Sequence, residues 1–127
     1  MKLLLDTHAL LWWWIDSPRL PESARGAIFE SDIVIVSAAS VWEIATKQRL
    51  LKLQELARGI GDLLPFCHVQ GFDLLSISPA HAQRAGSYPH RHGDPFDRML
   101  AAQAELENLV LLTKDDKVRD FPCATRW

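Results

Sequence analysis

Cysteine is almost missing from this chain. Cys67 and Cys123 are the only two among 127 residues, and they fit no metal-binding or redox spacing. They read as buried thiols in a reducing cytoplasm. Long apolar runs are missing too, since no stretch approaches the ~20 residues that a membrane span needs. The opening MKLLLDTH places an acid where a signal peptide would continue its apolar region, so no export signal is expected. Positive charge is not in excess. A net charge of −2 argues against binding nucleic acid by bulk electrostatics alone, while leaving room for a local basic patch. There is no internal repeat, low-complexity segment or linker, and neither a G-x-S-x-G turn nor a Walker P-loop. What remains is an ordinary soluble composition, 48% hydrophobic and 24% charged. The length fits one cytoplasmic domain over residues 1–127.

The apolar runs that do occur are short and sit between helical patterns. Lys2 to Leu5 reads as a buried strand ending at Asp6, after which Thr7 can cap a helix from about His8 to Ile15. Pro21 opens a second helix reaching about Ser31. Ile33-Val34-Ile35-Val36 is the best strand signal, and its unbroken apolarity implies burial on both faces. Helices are expected from Val41 to about Leu51 and from Gln54 to Leu64, the latter ended near Pro65. Phe72 to Ile77 is a third strand, Ser78-Pro79 starts a helix that Gly86 ends, and Ser87 to Gly93 reads as loop. Asp94-Pro95 opens a long helix to about Glu107, followed by a fourth strand over Leu109 to Leu112. A helical turn follows Asp115, and Cys123 to Thr125 forms a last edge strand. Strand alternating with helix implies an α/β fold with a mainly parallel central sheet flanked by helices.

In such sheets ligands bind beyond the carboxyl ends of the strands. Asp6 and Asp115 each lie just after a buried strand, so parallel strands would bring both to that edge. Either one, taken alone, also reads as a helix cap. With Asp94 as cap and Pro95 first in the helix, Asp97 falls on its third residue. Acids there complement the helix dipole, but Asp97 also shares a face with Leu100, Ala101 and Ala104, which should pack on the sheet. Asp97 then points at the sheet edge. Glu43 lies at the border of an apolar stripe formed by Val41, Ile44 and Ala45, near the same edge. Up to four carboxylates in one crevice call for a counter-ion, and a hard divalent cation with oxygen ligands is the economical one. Phosphodiester hydrolysis is the chemistry such a site suits best.

Four stretches, LLLDTHALLWWW, SAASVWEIATK, HGDPFDRMLAAQA and LLTKDD, together resemble a PIN-domain ribonuclease, specifically a VapC-type toxin of a toxin-antitoxin pair. They span almost the whole chain. The resemblance implies a PIN-like three-layer fold and a metal-dependent endoribonuclease whose acids are Asp6, Glu43, Asp97 and Asp115. It makes Asp6 and Asp97 the main ligands of Mg²⁺, for which Mn²⁺ can substitute, with Thr113 in support. It also implies an RNA substrate, a cognate antitoxin that obstructs the site, and a homodimer. The T-x-D spacing from Thr113 favours Asp115 over Asp116, and Val118 stands where the family often has Phe. Two other readings stay open: a catalytically silent PIN-like module that binds RNA or protein, and a phosphatase or phosphotransferase using Asp6 as nucleophile. The second lacks the D-x-D-x-T that haloacid-dehalogenase chemistry would want.

The histidines are scattered except for His90-Arg91-His92, and a structural zinc site is not expected. The loop from Tyr88 to His92, with Arg98 nearby, reads equally as a contact for RNA phosphates and as solvated loop. Arg84, Lys114, Lys117 and Arg119 would add a positive rim. Trp12-Trp13-Trp14 cannot all face one core, because successive helical residues point about 100° apart. A partner surface and a second layer of the same fold fit them equally well.

Overall fold

The computed structural model describes residues 1–50 and 59–127. Five parallel strands form one sheet in the order β3-β2-β1-β4-β5, comprising β1 (Lys2–Leu5), β2 (Ile33–Ser37), β3 (Asp73–Leu75), β4 (Val110–Leu112) and β5 (Ala124–Arg126). The central strand is β1, with Leu4 opposite Ile35 of β2 on one side and Leu111 of β4 on the other. Leu3, Leu4 and Leu5 are fully buried, as a strand covered on both faces must be. From β1 the chain builds outward first through β2 and β3, then in the other direction through β4 and β5. The order therefore reverses between β1 and β4, and that reversal opens a crevice at their carboxyl ends.

Alternate side chains of β1 point into two separate cores. Leu3 and Leu5 pack with α1 (Thr7–Trp14), α2 (Glu22–Glu30) and α4 (Leu63–Gln70). Leu4 packs on the other face with α5 (Pro79–Ser87) and α6 (Pro95–Leu106), through Ala85, Leu100, Ala101 and Ala104. This is the three-layer arrangement expected from the sequence. α3 (Ala38–Arg49) contributes Ile44 to the first core and Ala39 to the second, and it touches both α1 and α6. It thus lies over the edge where the two layers meet.

Several boundaries differ from the sequence reading. Asp6, not Thr7, caps α1, because its carboxylate accepts from the Ala9 amide at 2.7 Å. Ser37 caps α3, which begins at Ala38 rather than Val41. The buried stripe runs through Ser40, Glu43 and Ile44, leaving Val41 and Ala45 half-buried. Of the helix expected from Gln54 to Leu64, residues 54–58 lie outside the described residues; in the rest Gly59 is extended, Ile60–Asp62 form a 3-10 turn and α4 begins only at Leu63. Pro65 does not end a helix, as expected, but sits in the first turn of α4, where an amide would have no helical partner. Gly71 ends that helix in the left-handed region at φ 73°. β3 is shorter than expected. It is an edge strand, with Asp73 and Leu74 exposed, so burial does not extend it.

The tryptophan triplet is divided as helix geometry demands. Trp12 and Trp14 are buried in the first core, while Trp13 is half-exposed, donating from its indole nitrogen to Gln70 Oε1 at 2.9 Å. Val118, in the position where Phe was the resemblance's expectation, is buried beside Phe121. Among the described residues no helix is long and apolar enough to cross a membrane.

Candidate active site

A cleft of about 460 Å³ opens at the carboxyl edge of the sheet, at the switch between β1 and β4. Asp6, Glu43, Asp97 and Asp115 all line it. Each arrives on a different element. Asp6 follows β1, and its amide donates to Leu112 O of β4 at 3.1 Å, so the sheet ladder fixes its position. Asp115 follows β4, and its amide donates to Thr113 Oγ1 at 3.1 Å. Asp97 is the third residue of α6, held there because Asp94 caps the helix by accepting from the Phe96 and Asp97 amides. Glu43 comes from α3. Thr7 Oγ1, which donates to Ser40 Oγ at 3.2 Å, ties that helix to α1.

Asp6 also performs the capping role that was its competing reading. Asp115 does not cap the short 3-10 turn Val118–Asp120, whose cap residue is Lys117; its Oδ1 accepts from the Lys117 amide at 2.9 Å. Capping and cleft-lining are compatible because a carboxylate has two oxygens, and one is left for the crevice. Of the doublet, Asp115 is the inner member. Asp116 is largely exposed and pairs with Arg119.

Burial raises the proton affinity of two of these acids. Asp6 is pushed from the ordinary 3.8 to about 6 by burial, with hydrogen bonds from the Ala9 amide and the buried Thr113 hydroxyl opposing and the charges of Glu43 and Asp115 adding to the rise. Asp97 is likewise pushed to about 6 by burial, against a hydrogen bond from His92 and helped by the charges of Asp94 and Glu43. Glu43 is buried but not bare, since it pairs with Lys47 one turn on. Lys114 and Lys117 stand at the mouth, with Lys114 Nζ 4.7 Å from the Trp12 ring centre.

Sequence reasoning did not single out Lys47, although its i,i+4 relation to Glu43 was a legible signal. His92 was read only as part of a loop that contacts RNA phosphates or is merely solvated. Its Nε2 lies 2.9 Å from Asp97 Oδ2 and 4.0 Å from Asp115 Oδ2. Conversely, Arg98 does not face the cleft, and Tyr88 is buried with its hydroxyl on Glu105. Arg84 also pairs with Glu105, away from the cleft.

The PIN-domain family model matches residues 3–122. The chain belongs to the PIN-domain family. It is 32% identical over 119 residues to ribonuclease VapC22 of Mycobacterium tuberculosis, covering 92% of this chain and 89% of that one. Among solved structures it is similar to VapBC2 of Rickettsia felis bound to a promoter DNA fragment, with a TM-score of 0.70 at 14% identity, over 99% of this chain and 98% of the other. It also matches Mycobacterium tuberculosis VapC20, a toxin that cleaves the sarcin-ricin loop, with a TM-score of 0.68 at 11% identity over 96% of each chain. At those identities the structural likeness is one of fold. The parallel sheet, the three layers and the PIN assignment agree with one another.

Proposed function

We propose that this PIN-domain chain is a metal-dependent endoribonuclease, the toxin of an antitoxin-controlled pair. The observation that carries it is the convergence of Asp6, Glu43, Asp97 and Asp115 on one cleft at the sheet's switch point, with two of them raised to about 6 by burial. The donor set fits a hard divalent cation: several carboxylate oxygens with too little positive charge between them. Asp6 and Asp97 are its main ligands in this reading, with Mg²⁺ or Mn²⁺ as the ion, Asp115 beside them and Glu43 steadied by Lys47. Such an ion supplies acidity to water and positive charge to phosphate oxygens.

The rest falls to the chain. Thr113 ties Asp6 to Asp115, since its hydroxyl bonds the Asp6 carboxylate and accepts from the Asp115 amide. The two acids that follow neighbouring strands are thereby held in one geometry. Lys114 and Lys117 offer ammonium groups to the phosphates of a bound strand. Lys117 is shared with an adjoining hollow lined by His90, Arg91 and His92, which gives the strand a basic path out of the cleft. The cognate antitoxin and a homodimer complete the proposal, as does a cytoplasmic setting. VapBC2 of Rickettsia felis, a relative in fold, is a toxin-antitoxin complex.

The test is cleavage of a mixed labelled RNA pool by purified protein with Mg²⁺, with Mn²⁺ and with EDTA, alongside Asp97→Asn. Cutting that requires the ion and disappears in the variant is the expected result. Cutting that survives either EDTA or the substitution would overturn the metal mechanism. Binding of RNA without cutting in any ion would favour the silent module.

A further inference from the structure

The acids account for the cleft's charge but not for the imidazole that reaches Asp97 and Asp115 from the adjoining hollow. His92 sits on the loop between α5 and α6, and nothing in a solvated loop requires it to meet two carboxylates. The loop is fixed in place by Arg98, whose guanidinium is used entirely on backbone carbonyls. It donates to Ala85 O at 2.8 Å, Tyr88 O at 2.6 Å, and His90 O and His92 O at 2.9 Å each. A second tie comes from His90, whose Nε2 lies 2.9 Å from Asp120 O. The His92 ring packs 6.0 Å from that of Phe121. This is a built position. Asp97 and Arg98 are neighbours on α6, so one helical turn both supplies a carboxylate and anchors the loop that delivers the imidazole.

We propose that His92 is itself a ligand of the cleft's divalent ion, forming with Asp97 and Asp115 a ligand set that favours a first-row transition ion over Mg²⁺. The inference rests on the reading that the cleft holds a divalent ion, and it adds which residues and which ion. His92 Nε2, Asp97 Oδ2 and Asp115 Oδ2 are separated by 2.9 and 4.0 Å along the two His92 edges. All three ligand atoms lie within 4.8 Å of one another. Octahedral ligands at 2.0–2.1 Å from an ion are roughly 3 Å apart when adjacent and about 4 Å apart when opposed. The observed spacings fall at those two values. In the ion-free chain the 2.9 Å contact is a hydrogen bond from Nε2 to Asp97; ligation moves the proton to Nδ1 and turns the Nε2 lone pair to the ion. Imidazole nitrogen suits transition ions, whereas Mg²⁺ prefers carboxylate and water oxygen.

Mn²⁺ is the probe, because it is paramagnetic and reports its ligands directly. Electron paramagnetic resonance of the free ion gives binding to the wild-type protein, with Mg²⁺ as competitor. Electron spin echo envelope modulation of the bound ion then reads directly coordinated nitrogen. The expected result is bound Mn²⁺ with a strong ¹⁴N modulation that His92→Ala abolishes, together with a Mn²⁺-over-Mg²⁺ preference reduced by about tenfold or more. His92→Gln is the second variant, keeping size and polarity without an imidazole, and should behave the same way. Bound Mn²⁺ without ¹⁴N modulation in the wild type overturns the ligation of His92 while leaving the divalent-ion reading standing. Modulation that persists in both variants does the same, assigning the nitrogen to His8, which lines the cleft itself. No bound Mn²⁺ at millimolar concentration, from protein whose circular dichroism shows it folded, overturns the divalent-ion reading and His92 with it.

Discussion

Replacing Asp6 by Asn should make the metal-free protein more stable, not less. Asp6 is buried, and its carboxyl is raised from 3.8 to about 6. An acid whose folded value is raised holds its proton more tightly in the folded state than in the unfolded one. Below about pH 4 both states are protonated and no penalty exists. Between about pH 4 and 6 the unfolded chain ionises first, and stability falls. Above about pH 6 the whole displacement counts against folding, which is worth about 3 kcal/mol. Asn removes that charge yet keeps the helix cap, because its amide oxygen can still accept from the Ala9 amide and Asn ranks with Asp as a cap. The new amide hydrogens need partners of their own, so the expected gain is about 1–3 kcal/mol at pH 7.5. That corresponds to a rise in melting temperature of roughly 3–10 °C for a chain of this size. Thermal and urea unfolding in EDTA at pH 7.5 and at pH 4 read it, and the gain should shrink towards zero at the lower pH. Adding divalent ion at about 100 times its dissociation constant should restore about 2.7 kcal/mol to the wild type only. A variant no more stable than wild type at pH 7.5, or equally stabilised at both pH values, would refute the reasoning.

Arg98→Ala should cost about 2–4 kcal/mol in urea unfolding, because four backbone carbonyls lose one charged donor group. It should also weaken Mn²⁺ binding from outside the cleft, and Arg98→Lys should rescue little, since an ammonium cannot reproduce the guanidinium fork. Lys47→Met should lower stability at neutral pH by about 1–3 kcal/mol by leaving buried Glu43 unpaired. The Lys47→Met, Glu43→Gln double variant should recover most of that loss, and a double-mutant cycle showing no coupling would remove Lys47 from its counter-ion role.

Legibility followed burial. Leu3 to Leu5 are covered on both faces of the sheet, whereas in β2 Val34 and Val36 are buried and Ile33 and Ile35 only half-buried, against the expectation; the unbroken apolarity of both runs still located the two strands almost to the residue. β3 is an edge with exposed side chains, and nothing in its composition fixed where it stops. Asp97 was legible because Asp94 and Pro95 set the helix start and hence its phase. Glu43 was read from the wrong phase. Ser37 looked like the end of a strand but is also the cap, and the face of α3 that is buried is that of Ala39, Ser40, Glu43 and Ile44 rather than that of Val41 and Ala45, so Glu43 lies in the stripe and not at its border. Pro65 was read as a stop because proline breaks helix interiors, yet in the first turn of α4 the same residue costs nothing. His92 was the hardest, because a loop has no periodicity. Its position is decided by Arg98, six residues on, whose side chain looked like a phosphate ligand.

The charge around the cleft bears on the order in which ion and strand must act. Lys47 is taken by Glu43 and Asp116 by Arg119, so these four cancel in place. Asp94 is engaged in capping α6. What then faces the interior is Asp6, Asp97 and Asp115, with the His92 imidazole close to the last two. Lys114 and Lys117 can hold a polyanion at the rim, but a phosphate drawn further in meets three carboxylates in a crevice of reduced dielectric, where like charges repel far more than in water. The raised proton affinities of Asp6 and Asp97 come first from burial, with neighbouring like charge adding to the rise. A divalent ion reverses the sign of that interior, turning a place that repels phosphate into one that binds it. The burial that destabilises the metal-free fold is therefore the same feature that makes strand engagement depend on the ion.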